Sequence, residues 1–139
     1  MPELPEVETV RRTLELHLLD ETIDSVHVYY DKMLSPNKDE FINKLPNQTF
    51  RSIKRYGKYL FFIFDDYSII SHLRMEGKYF IRKLEKPYLH EHIIFVLKSG
   101  KTLRYHDVRK FGTMKLVHTT DMNEIFKEVE LAKLGKEAN

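Results

Sequence analysis

Residues suited to contacting a nucleic acid are concentrated in two segments of the chain. Residues 51–58 carry four Lys or Arg and no acid, a local charge of +4, and residues 98–115 carry six against one Asp, a local charge of +5. Aromatic residues are interleaved with both segments, namely Tyr56, Tyr59, Tyr105 and Phe111. Such a mixture suits phosphate contacts beside base stacking. The alternative is an ordinary solvated strand face, and composition alone does not separate the two.

Two further groups of residues could carry chemistry. Glu3 and Glu6 flank Pro5 near the start of the chain, where acids could move protons or simply complement a helix dipole. His90-Glu91-His92 contains residue types that bind metals, so we considered a metal site there. A metalloprotease pattern needs two residues between the Glu and the second His, so we expect no metal here. The chain has no cysteine, which also excludes thiolate-bound zinc within it.

Composition predicts one soluble domain. The 139 residues are 42% hydrophobic, enough for an ordinary core, and the net charge of +2 is too small to indicate a partner. No apolar run reaches the roughly 18 residues that a membrane helix needs, and the charged opening segment is unlike a signal peptide. We therefore expect a cytoplasmic protein that does not bind membranes.

A helix is predicted to position the N-terminal acids. Val7, Val10, Leu14 and Leu18 recur at helical spacing, which predicts an amphipathic helix over 5–18. Pro5 suits its first turn, because the missing N–H would have no partner there.

The rest of the chain reads mainly as strands, and we predict an α+β, mainly β fold: an antiparallel β-sandwich flanked by an N-terminal and a C-terminal helix. The predicted strands are 23–30, 49–55, 59–64, 68–73, 78–82, 92–97, 102–105 and 113–118. Asp65-Asp66 and Ser99-Gly100 supply turns, favouring consecutive hairpins. Helices are predicted over 39–45 and 121–134, the second capped by Asp121. Residues 1–134 would form the domain and 135–139 the start of an inter-domain linker.

The segment Met1-Pro2-Glu3-Leu4-Pro5-Glu6-Val7-Glu8-Thr9 closely resembles the N-terminal signature of formamidopyrimidine-DNA glycosylases. The resemblance implies that Met1 is removed and that the Pro2 amine attacks the sugar C1′ of a damaged nucleotide, giving an iminium intermediate. An α-amino group has a pKa of about 7.7 to 8.0 against about 10.4 for lysine, so more of it is nucleophilic. Glu3 would be the acid and Glu6 would assist. A retained Met1 would make this nitrogen an inert amide.

Two further segments match the family. Arg55-Tyr56-Gly57-Lys58-Tyr59-Leu60 resembles the segment whose lysine lies near the reacting sugar, which implies a phosphate contact and proton donor at Lys58. Ile70-Ser71-His72-Leu73-Arg74-Met75-Glu76-Gly77 implies that Met75 enters the duplex and fills the gap left by the extruded nucleotide. The predicted turn exposes Met75. By the same resemblance His72 contacts phosphate and Glu76 approaches the flipped base.

A last segment, Arg104-Tyr105-His106-Asp107-Val108-Arg109-Lys110-Phe111-Gly112, is nearly as specific as the first. It implies that Arg109 hydrogen-bonds the orphaned cytosine and that Phe111 wedges beside it. His90 would contact DNA, whereas His92 would be structural. This pattern favours the formamidopyrimidine branch over the related endonuclease VIII branch.

The resemblance implies a bifunctional DNA glycosylase and AP lyase of bacterial base-excision repair, monomeric and nucleoid-associated. Its partner would be double-stranded DNA containing oxidised purines such as 8-oxoguanine, with strand cleavage by β- and δ-elimination. The family continues into a helix-two-turn-helix domain and a zinc finger, so zinc is expected there and no cofactor within these residues. These 139 residues alone are expected to be weak or inactive. A non-catalytic damaged-DNA-binding module and an endonuclease VIII-like enzyme for oxidised pyrimidines remain open.

Overall fold

A computed structural model describes residues 4–137 of the protein. Helix α1 spans Leu4–Leu18, so it begins one residue before the predicted start and ends where predicted. Val7, Leu14 and Leu18 are buried, and Val10 packs against the same core, as the helical spacing predicts. Within the described residues no helix is long and apolar enough to cross a membrane.

Nine strands and two further helices follow α1. In chain order they are β1 (Ile23–Val28), β2 (Leu34–Ser35), α2 (Lys38–Lys44), β3 (Ser52–Tyr56), β4 (Tyr59–Ile63), β5 (Ser68–His72), β6 (Lys78–Lys83), β7 (Glu91–Leu97), β8 (Lys101–His106), β9 (Thr113–Val117) and α3 (Met122–Glu137). The strands form a four-stranded sheet of order β1-β7-β8-β6 and a five-stranded sheet of order β2-β9-β5-β4-β3. All eight predicted strands are therefore confirmed, with ends shifted by up to three residues.

The main core lies between the two sheets. Leu60 and Phe62 of β4 belong to the same buried cluster as Phe95 of β7 and Leu103 of β8. Burial of each such side chain contributes about 1.5–3 kcal/mol. A smaller cluster on the outer face of the five-stranded sheet places Ile125 and Val129 of α3 against that sheet. The predicted sandwich flanked by two helices is thus confirmed.

The wholly antiparallel pairing is not confirmed, because β2 pairs parallel to β9. Two residues are too few to show strand alternation, so the sequence analysis missed β2. The predicted turns do join β4 to β5 and β7 to β8, but β6 pairs with β8 and not with its chain neighbour β7. Consecutive hairpins therefore describe only part of the topology.

Helix α3 differs from its prediction at one end. Asp121 caps it as predicted, since its side chain accepts a hydrogen bond from the Asn123 N–H at 2.9 Å. The helix runs on to Glu137, however, through Gly135. A glycine inside a helix costs only about 1 kcal/mol, so the predicted stop at Leu134 was wrong.

Candidate nucleic-acid interface

The turn after β5 presents Met75 to solvent. Its side chain is 52% exposed, which confirms the predicted exposure of this methionine. Arg74, just before it, has a φ of 56°, and its N–H donates to Nδ1 of the half-buried His72 at 2.9 Å. A single exposed apolar side chain is ordinary on a protein surface, so the significance of Met75 depends on its neighbours.

The turn between β8 and β9 is organised by Asp107, which is buried. Its carboxylate accepts hydrogen bonds from the N–H groups of Lys110 and Gly112, at 3.0 and 2.8 Å. Arg109 and Phe111 alternate with these residues and are both exposed, Phe111 by 55%. A buried acid therefore fixes the backbone of a turn whose side chains face outward.

Tyr105 joins these two turns. Its buried hydroxyl donates to Asp107 Oδ2 at 2.9 Å and lies where a Cβ on either Gly77 or Gly112 would overlap it. Both turns can approach the hydroxyl because both have glycine there. The suggestion that Tyr105 stacks on bases is therefore wrong, since the ring has no exposed surface.

Several predicted residues meet around one cleft. Lys58, His72, Met75 and Phe111, together with Arg74, line a space of about 580 Å³. Met75 also borders a second cleft of about 380 Å³, whose lining includes Glu6 and Glu76. Glu6 is exposed at the start of α1. Pro2 and Glu3 lie outside the described residues.

Arg109 and Glu76 contact each other directly. Arg109 Nε lies 3.3 Å from Glu76 Oε1, and both side chains are partly exposed. The structure thus brings two predicted DNA contacts together as an ion pair that links the β8–β9 turn to the residue after Met75. An exposed pair of this kind is weak, about 0–1 kcal/mol, and can be exchanged for another partner.

Glu8 attaches α1 to β3, a role that the sequence analysis missed. Its carboxylate accepts from Arg11 at 2.8 and 2.9 Å, from Arg12 at 3.0 Å and from Arg55 of β3 at 3.1 Å. These arginines lower the pKa of Glu8 to about 2. Acid-to-arginine spacings of three and four within α1 were a visible signal. Arg55 is thereby engaged within the protein.

The other basic residues divide into buried and surface positions. Arg104 is fully buried, so its suggested phosphate contact is wrong. Its guanidinium donates to the Glu91 carboxylate at 2.8 Å, to Thr102, and to the carbonyls of Lys83, Glu85 and Lys86. Arg51 pairs with Asp65 and Asp20.

Glu91 is the buried acid that matches Arg104. Burial alone would raise its pKa, but the Tyr88 N–H, Arg104 and Arg82 hold that pKa below its usual value. The network fixes the segment that connects β6 to β7. No sequence signal indicated it, because the carbonyl acceptors belong to an irregular segment.

The two histidines beside Glu91 have different environments. His92 is buried and its Nε2 lies 2.7 Å from the Asp107 carbonyl oxygen, which places it among structural residues. His90 is half-buried, has a φ of 67°, and contacts the His106 ring. It does not line either cleft described above. In the part of the chain that the structure describes, no group of three His, Asp or Glu could hold a metal ion.

The sequence matches a known protein family. The family model described as formamidopyrimidine-DNA glycosylase N-terminal domain matches residues 1–114. A formamidopyrimidine-DNA glycosylase of Lactobacillus delbrueckii subsp. bulgaricus is 46% identical over the whole chain and half of the relative. One from Bacillus subtilis is 47% identical over 99% of the chain and half of the relative. The chain therefore spans about half the length of the curated relatives it matches.

Solved structures give the same result. A complex of Lactococcus lactis Fpg with DNA containing an abasic site has a TM-score of 0.84 at 41% identity, covering 91% of this chain and 47% of that one. A complex of Fpg (MutM) from the same organism with DNA containing FAPY-dG has a TM-score of 0.83 at 41% identity, covering 91% and 48%. By sequence and by fold, this chain belongs to the formamidopyrimidine-DNA glycosylase family and corresponds to its N-terminal domain.

Proposed function

We propose that this chain is the catalytic half of a bifunctional DNA glycosylase and AP lyase of base-excision repair. The observation that carries the proposal is the single cleft lined by Lys58, His72, Met75 and Phe111. Three separate segments of the sequence supply these side chains. Cations for phosphate and exposed apolar groups for a disrupted base stack are the combination that such an enzyme needs.

Met75 and Phe111 would occupy the duplex once a damaged nucleotide is extruded. Each is more than half exposed on a turn held by internal hydrogen bonds, so neither must leave a core to reach DNA. An aromatic ring offsets part of the lost stacking, about 1–3 kcal/mol per base. Arg109 would exchange Glu76 for the acceptor edge of the orphaned cytosine.

Pro2 would be the nucleophile after removal of Met1. Its neutral nitrogen forms a bond to the sugar C1′ as the glycosidic bond to the damaged base breaks, and the proton that the nitrogen loses leaves with the base. The C1′–O4′ bond then breaks as an acid, Glu3, donates a proton to O4′, which opens the ribose and leaves an iminium between the nitrogen and C1′. The resulting iminium is cationic and withdraws electrons, which allows β- and then δ-elimination of the 3′ and 5′ phosphates. Glu6 and Lys58 would assist proton transfer. The position of Glu6 beside the cleft that also contains Met75 supports this assignment.

The proposed substrates are oxidised purines in double-stranded DNA. The proteins of similar structure were crystallised with DNA containing FAPY-dG, N7-benzyl-Fapy-dG or an abasic site. The two exposed turns of this chain that carry Met75 and Phe111 line one cleft and support the same class of substrate.

Borohydride trapping tests the covalent step. The chain, with Met1 removed and its N-terminal mass verified, is incubated with a duplex containing an abasic site and with one containing 8-oxoguanine opposite cytosine. We expect a reduced adduct on the N-terminal peptide, in low yield and mainly with the abasic duplex. The matched control is the same chain with Met1 retained, which should give no adduct.

The site of attachment and the yield decide the outcome. An adduct on a lysine peptide would contradict the assignment of Pro2. Binding of the damaged duplex with no adduct from the Met1-free chain would favour the non-catalytic binding module. Preferential processing of thymine glycol over 8-oxoguanine would favour the endonuclease VIII-like alternative, and efficient capture of 8-oxoguanine would contradict the expected weak activity.

A further inference from the structure

Three side chains on the four-stranded sheet form a small cluster, of which Lys78 also lines the cleft that contains Met75 and Glu76. Lys78 of β6 and His106 of β8 are partners in the antiparallel register. The ring of His90 meets that of His106 edge to face, with centroids 5.8 Å apart. We call Lys78, His90 and His106 the β6–β8 cluster.

The backbone at His90 directs its side chain into this cluster. His90 has a φ of 67°, a conformation that residues other than glycine rarely adopt, and β7 has an irregular register between Glu91 and Ile93. The Asp107 N–H donates to the His90 carbonyl at 3.1 Å and holds the residue there. Strained residues and bulges of this kind are concentrated at binding sites, where they re-aim a side chain.

His106 is placed to donate a hydrogen bond from its other nitrogen. Among the side chains that the structure describes, its Nδ1 is the one buried nitrogen or oxygen without a hydrogen-bond partner. A buried N–H with no acceptor costs more than a buried lone pair, so the proton belongs on Nε2. Burial, and then His90 and Lys78, lower the pKa of His106, while Glu91 opposes this and His92 adds to it. The ring is therefore a neutral donor at neutral pH.

The β6–β8 cluster continues the proposed DNA surface. Lys78 is exposed and lines the cleft that also contains Met75 and Glu76. His106 directly precedes Asp107, the acid that shapes the turn bearing Arg109. A cation and a neutral donor next to His90 suit a phosphate oxygen, which accepts from both.

We propose that Lys78 and His106 form, with His90, a binding site for one backbone phosphate of duplex DNA, beside the turn that carries Arg109. The site rests on the proposed function, because it needs DNA along this face. Lys78 supplies charge, whereas His106 supplies a hydrogen bond without charge.

This difference gives each residue its own signature in binding measurements. Affinity for a duplex containing a tetrahydrofuran abasic analogue is measured by fluorescence anisotropy at pH 7.5 and several salt concentrations. Lys78→Gln should bind about fivefold more weakly and reduce the salt slope by about 0.9, as expected for one lost phosphate neutralisation. His106→Leu should also bind about fivefold more weakly with an unchanged slope, and His106→Gln, which keeps an N–H donor, should retain more affinity.

Two further variants are controls. Lys83→Gln removes the same charge from the far end of β6, about 17 Å away by strand geometry, and should bind as the wild type does. Lys58→Gln tests the proposed function itself. If Lys58→Gln weakens binding while Lys78→Gln and His106→Leu bind as the wild type does, the phosphate site is overturned and the proposed function stands. If no variant weakens binding, or if the wild type does not bind, the phosphate site and the proposed function are both overturned.

A measurement on the wild type avoids any folding defect of the variants. The side-chain ¹⁵N resonances of His106 should show the proton on Nε2, and the Nε2 signal should shift when the duplex is added. An Nδ1-protonated ring, or an Nε2 signal that does not respond to DNA, overturns the proposal.

Discussion

Tyr105 shows how one buried hydroxyl can position exposed residues. It donates to Asp107 and packs against Gly77 and Gly112, so it contacts the turns of both Met75 and Phe111 without touching solvent. Burial and the neighbouring Tyr79 raise the pKa of Tyr105, so the hydroxyl remains a donor throughout the physiological range. The relative position of the two turns therefore depends on this side chain.

Removing that hydroxyl should loosen the turns. We expect Tyr105→Phe to lower the free energy of unfolding by about 1 kcal/mol, because one buried hydrogen bond is lost. Affinity for an abasic duplex should fall as well. Urea unfolding and anisotropy measure the two effects. Tyr29→Phe, which alters a 57% exposed tyrosine, is the control and should change neither.

Substitution of Met75 should affect DNA binding without affecting stability. Because its side chain is 52% exposed, Met75→Ala should change the free energy of unfolding by less than about 0.5 kcal/mol. It should nevertheless weaken binding to an abasic duplex, where the side chain would fill the gap. Leu16→Ala removes another exposed apolar side chain and serves as the control. Equal affinities of the two variants would argue against insertion of Met75.

At the scale of elements, ion pairs attach the functional segments to the sheets. Glu8 and Arg55 join α1, which carries Glu6, to β3, while Arg104 of β8 and Glu91 join β8 to the start of β7, directly after His90. The first pair is partly exposed and the second is fully buried, so the two should respond differently to substitution.

Acid should weaken the attachment of α1. The folded-state pKa of Glu8, about 2, is below its ordinary 4.5. Its contribution is therefore complete above about pH 4.5 and is lost as the pH falls towards 2. Urea midpoints from pH 7 to pH 2 should fall less steeply for Glu8→Gln than for the wild type. Parallel curves would contradict this, and Glu124→Gln, an exposed acid of α3, is the control.

The buried pair should be far more sensitive. Arg104→Met leaves the Glu91 carboxylate buried with fewer donors, and the expected loss is about 3–5 kcal/mol of unfolding free energy. The double variant Arg104→Met/Glu91→Gln should recover part of it, because no buried charge is then left without its main partner. Additive losses in urea unfolding would show that the two residues are not coupled.

At the scale of the whole molecule, the proposed DNA face lies at one end of the sandwich. The turns bearing Met75 and Phe111 follow the last residues of β5 and β8, whereas the turns before those strands are at their opposite ends. We expect amide NMR shifts on addition of an abasic duplex to be concentrated around 72–78 and 106–112. Residues 65–67 and 98–100 should be unaffected, and large shifts there would contradict the placement.

The sequence predicted what depends on local pattern. Short runs rich in β-branched and aromatic residues predicted the strands, and helical spacing predicted α1. Lys58, His72, Met75 and Phe111, named from the motifs, line one cleft. Burial of Arg104 could not be predicted, because it depends on a distant segment folding over β8 and offering its carbonyls. The pairing of β6 with β8 could not be predicted from the sequence either, because the order of strands along the chain does not determine their order in the sheet.

The contact between Tyr105 and the two glycines also constrains how this domain can change over evolution. A Cβ at either glycine would overlap the tyrosine hydroxyl, so a substitution at Gly112 becomes acceptable only after Tyr105 has been replaced by a smaller residue. Gly77 is constrained by the backbone as well, since a Cβ there would also lie 2.7 Å from the Leu73 carbonyl oxygen, so it should remain glycine even where Tyr105 has changed. Among homologues, replacement of the tyrosine should therefore accompany substitution at position 112 and not at position 77.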